Sequence, residues 1–128
     1  PQVAMALGGL GVLRLARGDA AGALAPLEEA LARFEVSTGN RRGLVDDTRR
    51  ALGVCWTQLG RFEEAEPLLV AAQSAIESDS AAPIEVRRRA VQGLVDLYTA
   101  WIAAEPTEER EQRLAAWRAK LDALPAAK

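Results

Sequence analysis

Few side chains in this sequence are equipped for chemistry, and their spacing restricts what they could do. There is no histidine among the 128 residues, which removes the commonest general base and the commonest neutral metal ligand. Cys55 is the single cysteine. A nucleophilic thiolate needs a cationic neighbour to lower its pKa, whereas Cys55 lies beside Trp56 in an apolar pattern and reads as a packed thiol. The acidic pairs Glu28-Glu29, Glu63-Glu64 and Glu108-Glu109 fall on second helices, mostly near their starts, where the helix dipole favours negative charge. They do not read as paired acids in a cleft. Arg49-Arg50 and Arg87-Arg88-Arg89 are the basic clusters; they read as helix-surface charge, with an acidic peptide or a neighbouring domain as the functional alternative. Gly8, Gly9 and Gly11 have no preceding strand and no Gly-Lys-Ser or GxGxxG spacing, so they make a poor phosphate loop. No catalytic, cofactor-binding or metal-binding residue is assigned.

The elements that carry these residues are helices. Hydrophobic residues make up 49% of the chain, charged residues 27%, and the net charge is −2, a balance that gives nucleic acid no bulk electrostatic attraction. Ala and Leu dominate the apolar share and β-branched residues are few, which predicts an all-α fold. A chain of this length forms one domain and buries roughly two-thirds of its unfolded surface. No run approaches the ~20 apolar residues of a membrane span. A lone cysteine and no visible leader fit a reducing, cytoplasmic compartment.

Periodicity divides the chain into three helix hairpins, at about 2–36, 43–78 and 84–124. The clearest is the second. Leu52, Trp56 and Leu59 stripe one helix, Gly60-Arg61 breaks it, and Phe62, Ala65, Leu68, Leu69 and Ala72 stripe the next. So short a loop makes the pair antiparallel. The same hairpin occurs 42 residues earlier: Leu10-Gly11-Val12 matches Leu52-Gly53-Val54, Gly18 matches Gly60, Ala23 matches Ala65 and Leu27 matches Leu69. Across each hairpin the pattern sets Gly11 opposite Ala23 and Gly53 opposite Ala65. In the first helix Val3, Ala6, Leu7, Leu10, Leu13 and Ala16 form one face, while Met5, Val12 and Leu15 point elsewhere, so the helix is apolar nearly all round. Asp19 is placed to cap the second helix, Pro26 to kink it or delay its start. Residues 37–43 form a turn-rich connector, and Asp46 and Asp47 suit the first turn of the third helix. Thr107 with Glu108 and Glu109 begins the sixth.

These residues resemble the tetratricopeptide repeat, in a 42-residue form. Leu10, Gly11, Gly18, Ala23, Leu27 and Ala30 occupy the signature positions in the first repeat. Leu52, Gly53, Trp56, Gly60, Ala65, Leu69 and Ala72 occupy them in the second. The third is degenerate, with Val95 where a small residue is expected and Ile102 at the turn glycine. The close of the chain is similar to the last repeat of arrays in large bacterial signalling proteins, among them serine/threonine kinases and ATPase regulators. The resemblance implies a right-handed α-solenoid of three antiparallel hairpins, six helices in all, and a concave wall that holds a partner peptide. Carried over position by position, that groove comprises Met5, Gly8, Gly9 and Val12, then Asp47, Arg50, Val54 and Gln58, then Arg89, Gln92 and Asp96. Family members that hold a C-terminal carboxylate use Lys, Arg and Asn here. None of these positions is Asn, since Asn40, the only one in the chain, lies in a connector.

The expected function is therefore a non-catalytic protein–protein interaction or scaffold module, binding a protein or peptide and neither nucleic acid nor a membrane. Arg50 and Arg89 are the cations expected to favour an acidic or carboxylate-bearing peptide. The alternatives are an architectural spacer packed against its own chain and, less well supported, an enzyme fragment. Terminal repeats need polar outer faces. The last helix has one, but the first offers Val3, Met5, Leu7, Leu10, Val12, Leu13 and Leu15. On that ground the chain is expected to be the C-terminal end of a longer array, and the isolated piece to self-associate or fray at its first helix.

Overall fold

Two glycines close the first two hairpins in the same way. Gly18 has φ +81° and Gly60 φ +79°, a left-handed conformation that costs other residues roughly 1–2 kcal/mol. Around each the backbone makes the same pair of bonds. Gly18 N donates to Leu15 O at 3.0 Å and Asp19 N to Arg14 O at 2.9 Å; Gly60 N donates to Thr57 O at 3.1 Å and Arg61 N to Trp56 O at 2.8 Å. Each is a Schellman ending that satisfies the last carbonyls of one helix and starts the next within two residues.

The structure, a computed structural model, describes residues 2–36 and 42–125. They form six helices: α1 (Gln2–Ala16), α2 (Ala20–Val36), α3 (Arg42–Gln58), α4 (Phe62–Glu77), α5 (Ile84–Ala104) and α6 (Glu108–Ala123). The described residues include no strand, so the fold is all-α. Most of the expected 37–43 connector lies outside the described residues. Each helix packs on the next, and α3 also touches α1 and α5.

The helix starts use different devices. Asp19 caps α2 as expected, its Oδ1 accepting from Gly22 N at 2.9 Å. Arg61 cannot cap a helix; it instead grips Glu64 in the first turn of α4 with two bonds, of 2.8 and 2.6 Å. Thr107 Oγ1 accepts from Arg110 N at 3.2 Å and caps α6. Asp46 and Asp47 are not in the first turn of α3, which begins at Arg42; they pair instead with Arg49 and Arg50 one turn on. Pro26 does not delay α2, which is helical from Ala20. Its missing N–H leaves Gly22 O without the usual i+4 donor, and Arg14 of α1 donates there at 2.9 Å.

The hairpins close through glycine and leucine. A Cβ added at Gly11 would lie 2.4 Å from Leu27 Cγ, and one at Gly53 would lie 2.7 Å from Leu69 Cγ. The filling side chain is thus a leucine one turn beyond the alanine expected from the repeat. Ala65 also lies against Gly53, its carbonyl oxygen 3.5 Å from such a Cβ. Leu27 and Leu69 are fully enclosed as a result. The inner face of α1 is built from small residues. Ala4 and Gly11 are buried and Leu7 and Leu15 half-buried, while Val3, Leu10 and Leu13 are exposed. Small residues let α1 and α2 approach closely.

The third hairpin closes without a turn glycine, through aromatic rings and charge. Trp101 stacks between Phe62 and Tyr98, at 5.8 and 6.2 Å between centroids, and Arg110 of α6 lies 4.3 Å over its ring. Tyr98 OH donates to Glu66 of α4, which also accepts from Arg113 of α6 at 2.9 Å. Lys120 of α6 reaches Glu77 of α4 at 2.6 Å. Burial, then the Glu66 carboxylate, pushes the Tyr98 phenol up to about 12.

Two predictions follow from this packing. Gly9 and Gly53 are both helical, but a Cβ at Gly9 meets nothing within 4 Å. Gly9→Ala should gain the helix propensity difference, up to ~1 kcal/mol. Gly53→Ala gains the same term yet overpacks Leu69, at ~1–3 kcal/mol, and should be a net loss. Urea unfolding of the pair checks both signs. Because Tyr98 stays protonated more readily folded than unfolded, its contribution is complete below pH 10 and lost as pH rises towards 12. Tyr98→Phe should flatten the fall in stability across that window in alkaline unfolding curves.

Candidate partner-binding groove

Along one side of the molecule, α1, α3 and α5 leave two recesses. The first, about 320 Å³, is lined by Met5, Gly8, Gly9 and Val12 of α1, Phe34 of α2, and Asp47 and Thr48 of α3. The second, about 520 Å³, is lined by Asp46, Asp47 and Arg50 of α3, Ala75 and Ile76 of α4, residues of the 78–83 connector, and Val86 and Arg89 of α5. Asp47 lines both, so the recesses adjoin at that residue.

Each wall has a local cause. Gly9 has open space where a side chain would stand, so its lack of a Cβ makes part of the first recess. The connector bounding the second is pinned by Arg87, which donates to the backbone oxygens of Asp79 and Ala82. Asp79 itself accepts from Ala81 N at 3.0 Å.

The charges do not make an anion pocket. Arg50 is largely covered, its side chain 15% exposed, and it pairs with Asp47 at 3.2 Å. Its stem packs while its head is already engaged. Arg89 is exposed and, among the described residues, has neither a hydrogen bond nor an ion pair. Three carboxylates, Asp46, Asp47 and Asp79, share the cavity with these two guanidinium groups. Arg50 and Arg89, the two cations expected to favour an acidic or carboxylate-bearing peptide, therefore stand in different states. One arginine is neutralised in place, and the recess as a whole carries mixed charge.

The other expected positions fall outside both recesses. Gln92 donates to Asp96 at 2.8 Å on the exposed side of α5. Val54 is half-buried against the cluster of Leu94, Leu97 and Trp101, and Gln58 is exposed at the end of α3. The structure thus brings together Met5, Gly8, Gly9, Val12, Asp47, Arg50 and Arg89 of the eleven residues expected. It adds Phe34, Thr48, Ile76 and Val86, four residues with no charge to single them out in the sequence.

Cys55 lies well away from this groove. It is fully buried, its thiol donates to Ala20 O at 3.1 Å, and burial followed by the Glu28 charge raises its pKa. Such a thiol packs and does not react. Among the described residues, no group of three or more His, Cys, Asp or Glu could hold a metal ion, and no helix is long and apolar enough to cross a membrane.

Comparison with protein-family models, with characterised proteins and with solved structures finds no match.

Proposed function

We propose that this chain is a protein–protein interaction module of the tetratricopeptide kind, a right-handed solenoid of three hairpins that binds a partner segment along the face of α1, α3 and α5. The observation that carries this reading is the convergence of residues from three separate hairpins. Met5, Gly8, Gly9 and Val12, then Asp47 and Arg50, then Arg89 line two adjoining recesses. Concave, mostly apolar recesses with a few polar groups are the usual form of a binding site.

The lining indicates the kind of segment. The recess of Met5, Val12 and Phe34 takes one bulky apolar side chain, and Met adapts its shape to more than one such group. Beside it the mixed-charge cavity takes a polar stretch, with Arg89 as its uncommitted cation. A peptide with an apolar anchor next to a carboxylate therefore fits better than a uniformly acidic one. The module acts by binding and carries out no chemistry.

A random peptide library displayed on phage and selected on the intact chain tests this. Selected peptides should share an apolar residue beside an acidic one. Gly9→Phe, which places a ring in the open recess without touching the core, should weaken their binding at least tenfold without lowering the melting midpoint. Peptides that bind Gly9→Phe and Arg89→Ala as tightly as the parent chain would place the binding surface elsewhere.

A further inference from the structure

Helix α1 has three faces, and the hairpin and the groove account for two. Ala4 and Gly11 turn in towards α2, and Met5, Gly9 and Val12 line the first recess. The third face carries Val3, Ala6, Leu10 and Leu13, all exposed, with Val3 at 52%, Leu10 at 38% and Leu13 at 49%. An apolar strip of this kind marks an interface, and the chain's own repetition shows what fits it.

Forty-two residues on, the same positions of α3 are Val45, Thr48, Leu52 and Cys55. Thr48, Leu52 and Cys55 are buried. Leu52 and Cys55 share a cluster with Ala20, Ala23 and Leu27 of α2, and Val45 packs with Ala30 and Phe34 of the same helix. One further repeat along, α5 has Ala90, Leu94 and Leu97, all buried. Leu94 and Leu97 share a cluster with Ala65 and Leu69 of α4. In both places the second helix of the preceding hairpin covers this face. On α1 it stands open.

We propose that the face formed by Val3, Ala6, Leu10 and Leu13 docks the second helix of a further hairpin of this same repeat. That helix would present small and leucine side chains in the order that Ala20, Ala23 and Leu27 take on α2. A second copy of this chain is a poor occupant. Its α2 and α4 already lie between packed neighbours, and its α6 has no buried residue and turns Glu111, Arg113 and Arg118 to solvent. The surface is separate from the groove, so it can be tested with every groove residue intact.

The test is a chain in which residues 1–42 are duplicated ahead of residue 1, which sets a copy of α2 before α1 in the register that α2 has before α3. Its helix content by circular dichroism should rise by one hairpin, it should be a monomer by light scattering, and the amides of the original α1 should exchange at least tenfold more slowly. Leu10→Glu with Leu13→Glu in the original α1 should abolish that slowing. The same pair in the undoubled chain should leave its melting midpoint unchanged, because these side chains are exposed there. An added hairpin that stays unfolded, unchanged exchange in α1, or slowing that survives the glutamate pair overturns the proposal. So does a stable dimer of the undoubled chain that protects α1 and persists after duplication, since the occupant is then a second copy.

Discussion

The position of every other element depends on how closely α3 approaches its neighbours, and one leucine sets that approach. Leu69 of α4 fills the space left by Gly53 of α3 on one side and touches Gly93 of α5 on the other; added Cβ atoms would come within 2.7 and 3.3 Å of its side chain respectively. Leu27 does the same under Gly11 in the hairpin before. Protein interiors are packed densely enough that one methyl group is felt. A glycine in a helix costs up to ~1 kcal/mol relative to alanine, and here the enclosed leucine repays it, at roughly 1.5–3 kcal/mol for a fully buried side chain. Because the same exchange occurs at both hairpins, α1 and α3 present equivalent faces. The groove follows from that equivalence.

The turns and the ion pairs complete this arrangement at much smaller energies. The two Schellman endings place each return helix within two residues and leave no freedom in its direction. Arg14 answers the carbonyl freed by Pro26, so a proline inside α2 is tolerated without an unpaired acceptor at that point. The third hairpin lacks both the turn glycine and a glycine–leucine pair of its own, and is held by Tyr98, Glu66 and Arg113 across three helices. Exposed ion pairs contribute ~0–1 kcal/mol each. Leu114 and Trp117 of α6, packed against the cluster of Leu94, Leu97, Tyr98 and Trp101, therefore carry more of that hairpin than its charges do.

Much of this was legible in the sequence because the signals were local and recurred. The six helices, the breaks at Gly18 and Gly60, and the caps at Asp19 and Thr107 follow from residue type and spacing alone. On α1 the repeat pattern put Gly11 at the seam, but Ala4, buried against Ala30 and Phe34, was not singled out because an alanine carries little hydrophobic signal. The leucines that fill the space at Gly11 and Gly53 were not read, because alignment shows which positions correspond and not how far a leucine reaches. In the groove, Met5, Val12, Asp47, Arg50 and Arg89, chosen by their repeat positions, all line one or other of the two recesses. Phe34, Ile76 and Val86 were missed because a groove-lining apolar residue looks like a core residue in sequence. The neutralisation of Arg50 was missed for a related reason: an i,i+3 ion pair with Asp47 depends on side-chain direction, which spacing permits but does not select.

The glycine–leucine exchange is open to direct measurement by a double-mutant cycle between Gly53 and Leu69. If Leu69 fills the space above Gly53, truncating it makes room for a methyl group. Gly53→Ala should then be a net loss in the parent chain, ~1–3 kcal/mol of overpacking set against up to ~1 kcal/mol of helix propensity, and neutral or stabilising in a Leu69→Ala background, a coupling of at least about 1 kcal/mol between neighbours in contact. Strictly additive effects would mean that the two side chains do not share that space, and the packing that places the groove would be wrong.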